Sequence, residues 1–104
     1  MRIAFVISSL RQGGPVTVLA NLTKALASRG HTCKVFYFDA GEEVHFVCPT
    51  ERVPFFRSFK FSDYDVIHVN GIRSNYYASI HIPPRQRRHY VVISTVHAYT
   101  LEEF

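Results

Sequence analysis

The residues in this chain whose types and positions could do chemistry are a histidine, three glycines and an asparagine, all set where apolar runs give way to loops. His97 follows Ser94-Thr95-Val96. An imidazole at the end of such a run can donate to or accept from a hydroxyl or carbonyl oxygen at neutral pH. Gly13 and Gly14 stand between the apolar run 3–7 and a segment in which Val16, Leu19, Leu22 and Leu26 recur near the helical period, as one face. Glycines there let the backbone turn sharply and approach a ligand with no Cβ in the way, and the amides opening a helix favour an anionic or oxygen-rich group. Asn70 and Gly71 close a second apolar run, Val66-Ile67-His68-Val69. Each feature also has a plainer reading. The glycine pair can be a tight connection, and His97 a loop residue holding a backbone carbonyl.

Several chemistries are excluded. The glycine turn lacks the spacing of a dinucleotide fingerprint and the Lys-Ser/Thr of a phosphate-binding P-loop, so neither a nicotinamide site nor an ATPase site is expected. His31, His45, His68, His81, His89 and His97 are scattered without paired ligand spacing, and no metal is expected. His68, inside an apolar run, reads as an interior histidine satisfied by a hydrogen bond. Cys33 and Cys48 fall in predicted strands without a C-x-x-C spacing and read as buried free thiols. The 104 residues carry a net charge of +4, and no nucleic-acid motif accompanies that modest excess. Arg85, Arg87, Arg88 and His89 form the main basic cluster. It reads as a solvated loop before a strand, its functional alternative being attraction to lipid phosphate or an anionic membrane face. Phe55, Phe56, Phe59 and Phe61, with Arg57 and Lys60, divide in the same way between core and interfacial patch.

The elements that must position these residues are a βα series. Runs at 3–7, 33–38, 44–48, 66–69 and 90–94 are predicted strands, the last two being continuous apolar stretches of the kind covered on both faces. Pro15 suits a first helical turn, and Gly30, after Ala27-Ser28-Arg29, is placed to end that helix as a left-handed cap. A second helix is predicted over 75–82, stopped by Pro83-Pro84, with an irregular connection and a helical turn within 55–61. Together these predict an α/β fold: one Rossmann-like domain over 1–104, its sheet doubly wound and mainly parallel, with helices on both faces. In such a sheet the carboxyl ends of the strands line a crevice where strand order reverses, so Gly13, Gly14, Asn70, Gly71 and His97 are expected on one rim. Unrelated folds share that rim, so it speaks for binding and not for what is bound. The first apolar run is too short for a membrane span, is interrupted by Ser8-Ser9 and Arg11, and lacks a cleavage pattern; a cytoplasmic chain is expected. For the same reason the Asn21-Leu22-Thr23 sequon is not expected to carry glycan.

The strand, Gly-Gly turn and helix of 1–29, the Arg29-Gly30-His31 helix end, the Asp-Val-Ile-His-Val-Asn-Gly run at 65–71 and the Val-Ile-Ser-Thr-Val-His run at 92–97 come in the order and spacing of a known family. The chain resembles the N-terminal, acceptor-side domain of GT-B glycosyltransferases, specifically the retaining group often called family 4. The resemblance implies transfer of a sugar from a nucleotide-activated donor to a glycan or lipid-linked acceptor in cell-surface polysaccharide or glycolipid synthesis. It implies a contact from His97 to the donor sugar and no cofactor or metal; substrate contacts at Gly13, Gly14, Asn70 and Gly71 are expected from their shared rim, and peripheral contact with the inner face of an anionic membrane from the basic cluster. One departure stands out: many relatives end the fourth strand His-x-His, and Asn70 replaces the second histidine here, removing a titratable group. The resemblance would place the donor-nucleotide domain beyond Phe104, so these residues are expected to be a piece of the enzyme, inactive alone. The alternative is a free-standing α/β module that binds a small ligand or phosphate without catalysis.

Overall fold

In the computed structural model, residues 1–11, 13–40 and 44–82 and the backbone of 91–95 are described. The chain runs β1 (Arg2–Ser9), α1 (Gly14–Ser28), β2 (Thr32–Asp39), β3 (Thr50–Arg52), a single 3-10 turn (Phe61–Asp63), β4 (Val66–Asn70), α2 (Ile72–His81) and β5 (Val91–Thr95). The five strands form one sheet in the order β3-β2-β1-β4-β5. All four neighbouring pairs are parallel. This is a Rossmann-like doubly wound α/β sheet, and its order reverses at β1, which has β2 on one side and β4 on the other.

Alternation along the strands builds a core on each face. Ala4, Val6, Phe36, Phe38, Ile67 and Val69 pack with Tyr77 and Ala78 of α2 and with Val53, Phe59 and Phe61 of the connection before β4. On the other face Ile3, Phe5, Ile7, Cys33 and Val35 meet Val16 and Leu19 of α1, with Leu10 and Phe46 closing the end. Strands covered on both sides are apolar where both faces are buried, as β1 is over residues 3–7 and β2 over residues 35–38.

Helix α1 stops as its sequence requires. Gly30, at φ 88°, takes the left-handed conformation, while its N–H bonds Ala27 O at 3.1 Å and that of His31 bonds Leu26 O at 3.1 Å. These are the two bonds of a Schellman cap. The buried stripe of α1 differs from the expected face at one residue. Val16 and Leu19 are buried and Leu26 packs against them, but Thr23 at 0% exposure takes the interior position and Leu22 is 37% exposed. The 16-19-23-26 spacing follows the true helical period, and Thr23 is tolerated inside because its hydroxyl donates to Ala20 O at 3.0 Å.

Two element assignments are corrected. Residues 44–48 are not a strand. Val44 N–H donates to Leu10 O at 2.7 Å, beyond β1, and Phe46 fills the α1-side core. The apolar alternation there serves burial, while the strand beside β2 is the polar, exposed Thr50–Arg52. Helix α2 begins at Ile72 rather than at 75, because Gly71 at φ 91° turns the chain directly from β4 into the helix. Pro83 and Pro84 lie outside the described residues, as do Arg85, Arg87, Arg88 and His89. Phe59 and Phe61 are core and Phe55 is half-buried, whereas Phe56 is 92% exposed. Among the described residues no helix is long and apolar enough to cross a membrane.

Candidate functional site

Because β1 and β4 are parallel neighbours with Val6 opposite Val69, their carboxyl ends open onto the same edge. Residues 13–14 follow one and 70–71 end the other, so the structure brings both motifs to the reversal point of the sheet. The fifth strand reaches that edge as well, with Thr95 opposite Asn70. His97, two residues further on, lies outside the described residues.

Neither glycine of the first turn is demanded by backbone strain. Gly13 caps α1 at φ 171° and ψ 170°, an extended conformation, and positive φ among the described glycines belongs to Gly30 and Gly71. A Cβ at Gly13 would come no nearer than 4.0 Å to Arg11 O, and one at Gly14 would meet nothing within 4 Å. The sharp-turn role expected of this pair therefore does not apply. What the glycines leave is open space before the first turn of α1, where no side chain caps the helix and no acidic residue follows. The amides of Gly14 and Val16 have no acceptor within the helix, and Pro15 contributes none. Gly13 O is engaged, taking the amide of Thr17 at 3.0 Å and its hydroxyl at 2.9 Å.

At the second motif the backbone does require glycine. Gly71 caps α2 with φ 91°, and its carbonyl accepts from the amide of Asn75 at 3.1 Å and from Asn75 Nδ2 at 2.8 Å. Asn70 is buried, and its Nδ2 donates to Val6 O at 3.3 Å and His68 O at 3.2 Å. The side chain thus laces β4 to β1 under the crevice. His68 is half-buried against Phe5, the ring centroids 5.4 Å apart, consistent with an interior rather than a reactive position.

The edge also carries charge that the sequence reading missed. Asp39, the last residue of β2, receives two hydrogen bonds from Arg73 in the first turn of α2. The Arg73 guanidinium, and more weakly Arg11 and Arg52, hold the Asp39 carboxyl below the usual carboxylate range against a smaller opposing effect of burial. Strand alignment explains the gathering. Ser9 lies opposite Asp39 two residues before Arg11, and Arg52 lies opposite Tyr37 two residues before Asp39. The signal available in sequence was an acid ending an apolar strand and arginines following two others. Which of them meet depends on strand order. Behind this edge Ser74 is fully buried in the first turn of α2, and its hydroxyl is the one buried side-chain polar atom among the described residues without a partner.

Cys33 is buried and Cys48 half-buried, both as free thiols. Burial pushes both thiols up from their ordinary range, in Cys48 against a hydrogen bond with Thr23, which disfavours the reactive thiolate form in both. No group of three or more potential metal-ligating side chains occurs among the described residues.

No protein-family model matches the chain, and no solved structure does. Among curated proteins, two from Escherichia coli, each named O-antigen biosynthesis glycosyltransferase WclY, are 29% identical over 110 aligned positions. The alignments cover 99% of this chain but 30% of each relative, so the chain spans under a third of their length.

Proposed function

We propose that this chain is the N-terminal, acceptor-side domain of a GT-B glycosyltransferase of the retaining family 4 kind, acting in cell-surface polysaccharide synthesis at the cytoplasmic face of the membrane. The observation that carries the reading is the similarity to the two O-antigen glycosyltransferases along 99% of the chain, joined to a parallel sheet whose reversal point collects the glycine turn and the end of β4. The donor is a nucleotide-activated sugar and the acceptor a glycan or lipid-linked glycan. In this reading the uncapped start of α1 and the open space at Gly13 and Gly14 admit an oxygen-rich group to the floor of the cleft. Gly71 and Asn70 shape the neighbouring wall, and His97 contacts the donor sugar as charge develops at its anomeric carbon. The donor-nucleotide domain belongs to the remainder of the enzyme.

The test is a turnover assay on the intact protein, offering a panel of nucleotide sugars with lipid-linked saccharide acceptors. Expected is release of nucleoside diphosphate from one donor with extension of one acceptor. A folded protein that binds ligands at this edge but turns over no donor would favour the non-catalytic binding module and overturn the proposal.

A further inference from the structure

Cys33 and Cys48, which the candidate site does not use, stand side by side on neighbouring segments. The parallel register that sets Val35 opposite Thr50 and Tyr37 opposite Arg52, carried back two residues on each chain, sets Cys33 opposite Cys48. A backbone bond holds the segments together at this point, the amide of Val35 donating to Pro49 O at 3.0 Å. Both side chains also face the same way. Cys33 belongs to the core under α1 with Val35 and Tyr37, and Cys48 packs against that core and shares its hydrogen bond with Thr23 of α1. The neighbouring Cys48 adds to the effect of burial in pushing the Cys33 thiol up, as a second ionisable sulfur nearby must.

Adjacent strands lie about 4.8 Å apart, and a disulfide joins Cα atoms about 4.4–6.8 Å apart, so a pair in register on one face is within reach of a bridge with the sheet intact. Access divides the two residues. Cys33 is 3% exposed, whereas Cys48 is half-buried between the exposed Val47 and Pro49. A soluble disulfide therefore meets Cys48 first, and Cys33 has only to meet the sulfur of its neighbour.

We propose that Cys33 and Cys48 are an oxidisable dithiol that closes to a disulfide in the folded chain, through Cys48, by exchange with a low-molecular-weight disulfide such as oxidised glutathione. The Cys48 thiolate attacks one glutathione sulfur, forming a mixed disulfide and expelling a glutathione thiolate, which takes up the proton that Cys48 released. The Cys33 thiolate then attacks Cys48 Sγ, forming the Cys33–Cys48 bond, and the second glutathione leaves and takes the proton from Cys33. Two protein thiols lose two electrons, and one glutathione disulfide gains them to become two thiols. Burial of both thiols slows the exchange at neutral pH, so the pair stays reduced until the level of soluble disulfide rises. The bridge ties the second residue of β2 to the segment just before β3, at the end of the strands opposite the crevice. It closes the loop 33–48 and so acts on the stability of the fold, independently of the transferase reading.

The test equilibrates the intact protein with mixtures of reduced and oxidised glutathione, in native buffer and in concentrated urea. The product is read by mass spectrometry of a non-reducing tryptic digest, in which the bridge joins peptide 30–34 to peptide 35–52. The equilibrium constant for closing the pair is expected to be at least about tenfold larger in native buffer than in urea. The thermal midpoint of the oxidised protein is expected to lie several degrees above that of the reduced protein, a rise that Cys48→Ser abolishes. Cys33→Ala is expected to stop Cys48 at the mixed disulfide with glutathione, and Cys48→Ser to leave Cys33 unmodified. Closure no more favourable in the folded protein than in urea, or a midpoint lowered by oxidation, would overturn the proposal. Glutathione found on both cysteines without a link, or on Cys33 in folded Cys48→Ser, would overturn it as well. Cys48→Ser alters a half-buried side chain, and with the wild-type equilibria it decides the matter even if Cys33→Ala does not fold.

Discussion

Replacing Gly13 with serine separates the two roles a glycine turn can have. In the structure Gly13 is the extended N-cap of α1, and an added Cβ would approach Arg11 O at 4.0 Å, an ordinary contact. The backbone therefore imposes no penalty. Serine is also a somewhat better N-cap than glycine, worth a few tenths of a kcal/mol, so Gly13→Ser should move folding stability by less than about 0.5 kcal/mol, on the stabilising side. At an m-value of roughly 1–3 kcal/mol per molar urea that shifts the midpoint by less than about 0.5 M. The side chain would stand in the open space before α1, however, with its oxygen turned onto the amides that a ligand would use. Transfer by the intact protein should fall at least about tenfold, equivalent to 1.4 kcal/mol. Gly71→Ala is the internal contrast. At φ 91° and ψ 175°, a region open essentially to glycine alone, a non-glycine residue meets a backbone penalty of about 1–3 kcal/mol, which should appear as a lower urea midpoint. Urea melts and initial transfer rates on both variants decide the matter. Wild-type kinetics in folded Gly13→Ser would return the turn to a purely structural role, and a large stability loss would refute the conformational reasoning.

Other expectations are as direct. Tyr77 is fully buried, with its hydroxyl accepting from Phe59 N–H at 3.2 Å and donating to Arg57 O; Tyr77→Phe leaves that amide unpaired and should cost about 1–3 kcal/mol in an equilibrium melt, and no change would mean that the connection before β4 is not anchored there. His97→Ala should lower turnover by roughly 2–4 kcal/mol of transition-state stabilisation with little effect on the unfolding midpoint, and His68→Ala should do the reverse; wild-type turnover in His97→Ala would remove its assignment. Cys33 should resist a thiol reagent until the chain is unfolded, since the residue is 3% exposed and its proton is held more tightly than usual by burial. The same raised pKa gives a sign for alkaline stability. The folded chain keeps the thiol proton longer than the unfolded one, so stability is full below the unfolded value of about 8.5 and is lost as pH rises through the folded value, a trend a Cys33→Ala variant should flatten.

Local pattern determined much of this fold. The apolar runs marked β1, β2 and β4, and Gly30 marked the end of α1, because strand burial on two faces and a left-handed cap impose residue choices that need no knowledge of neighbours. The glycine turn and the Asn70-Gly71 pair were legible for the same reason, and parallel order alone was enough to place them on one edge. Other features depended on what lies opposite. Thr50–Arg52 is polar and exposed, a strand only because β2 offers it a ladder, while 44–48 alternates like a strand yet serves the core beyond β1. Thr23 rather than Leu22 faces inward because the helix sets its rotation by packing. The ion pair of Arg73 with Asp39, which joins the start of α2 to the end of β2, exists only in the folded chain. Charge contacts over such separations are set by strand order and register, which a sequence carries as a whole and displays at no single position.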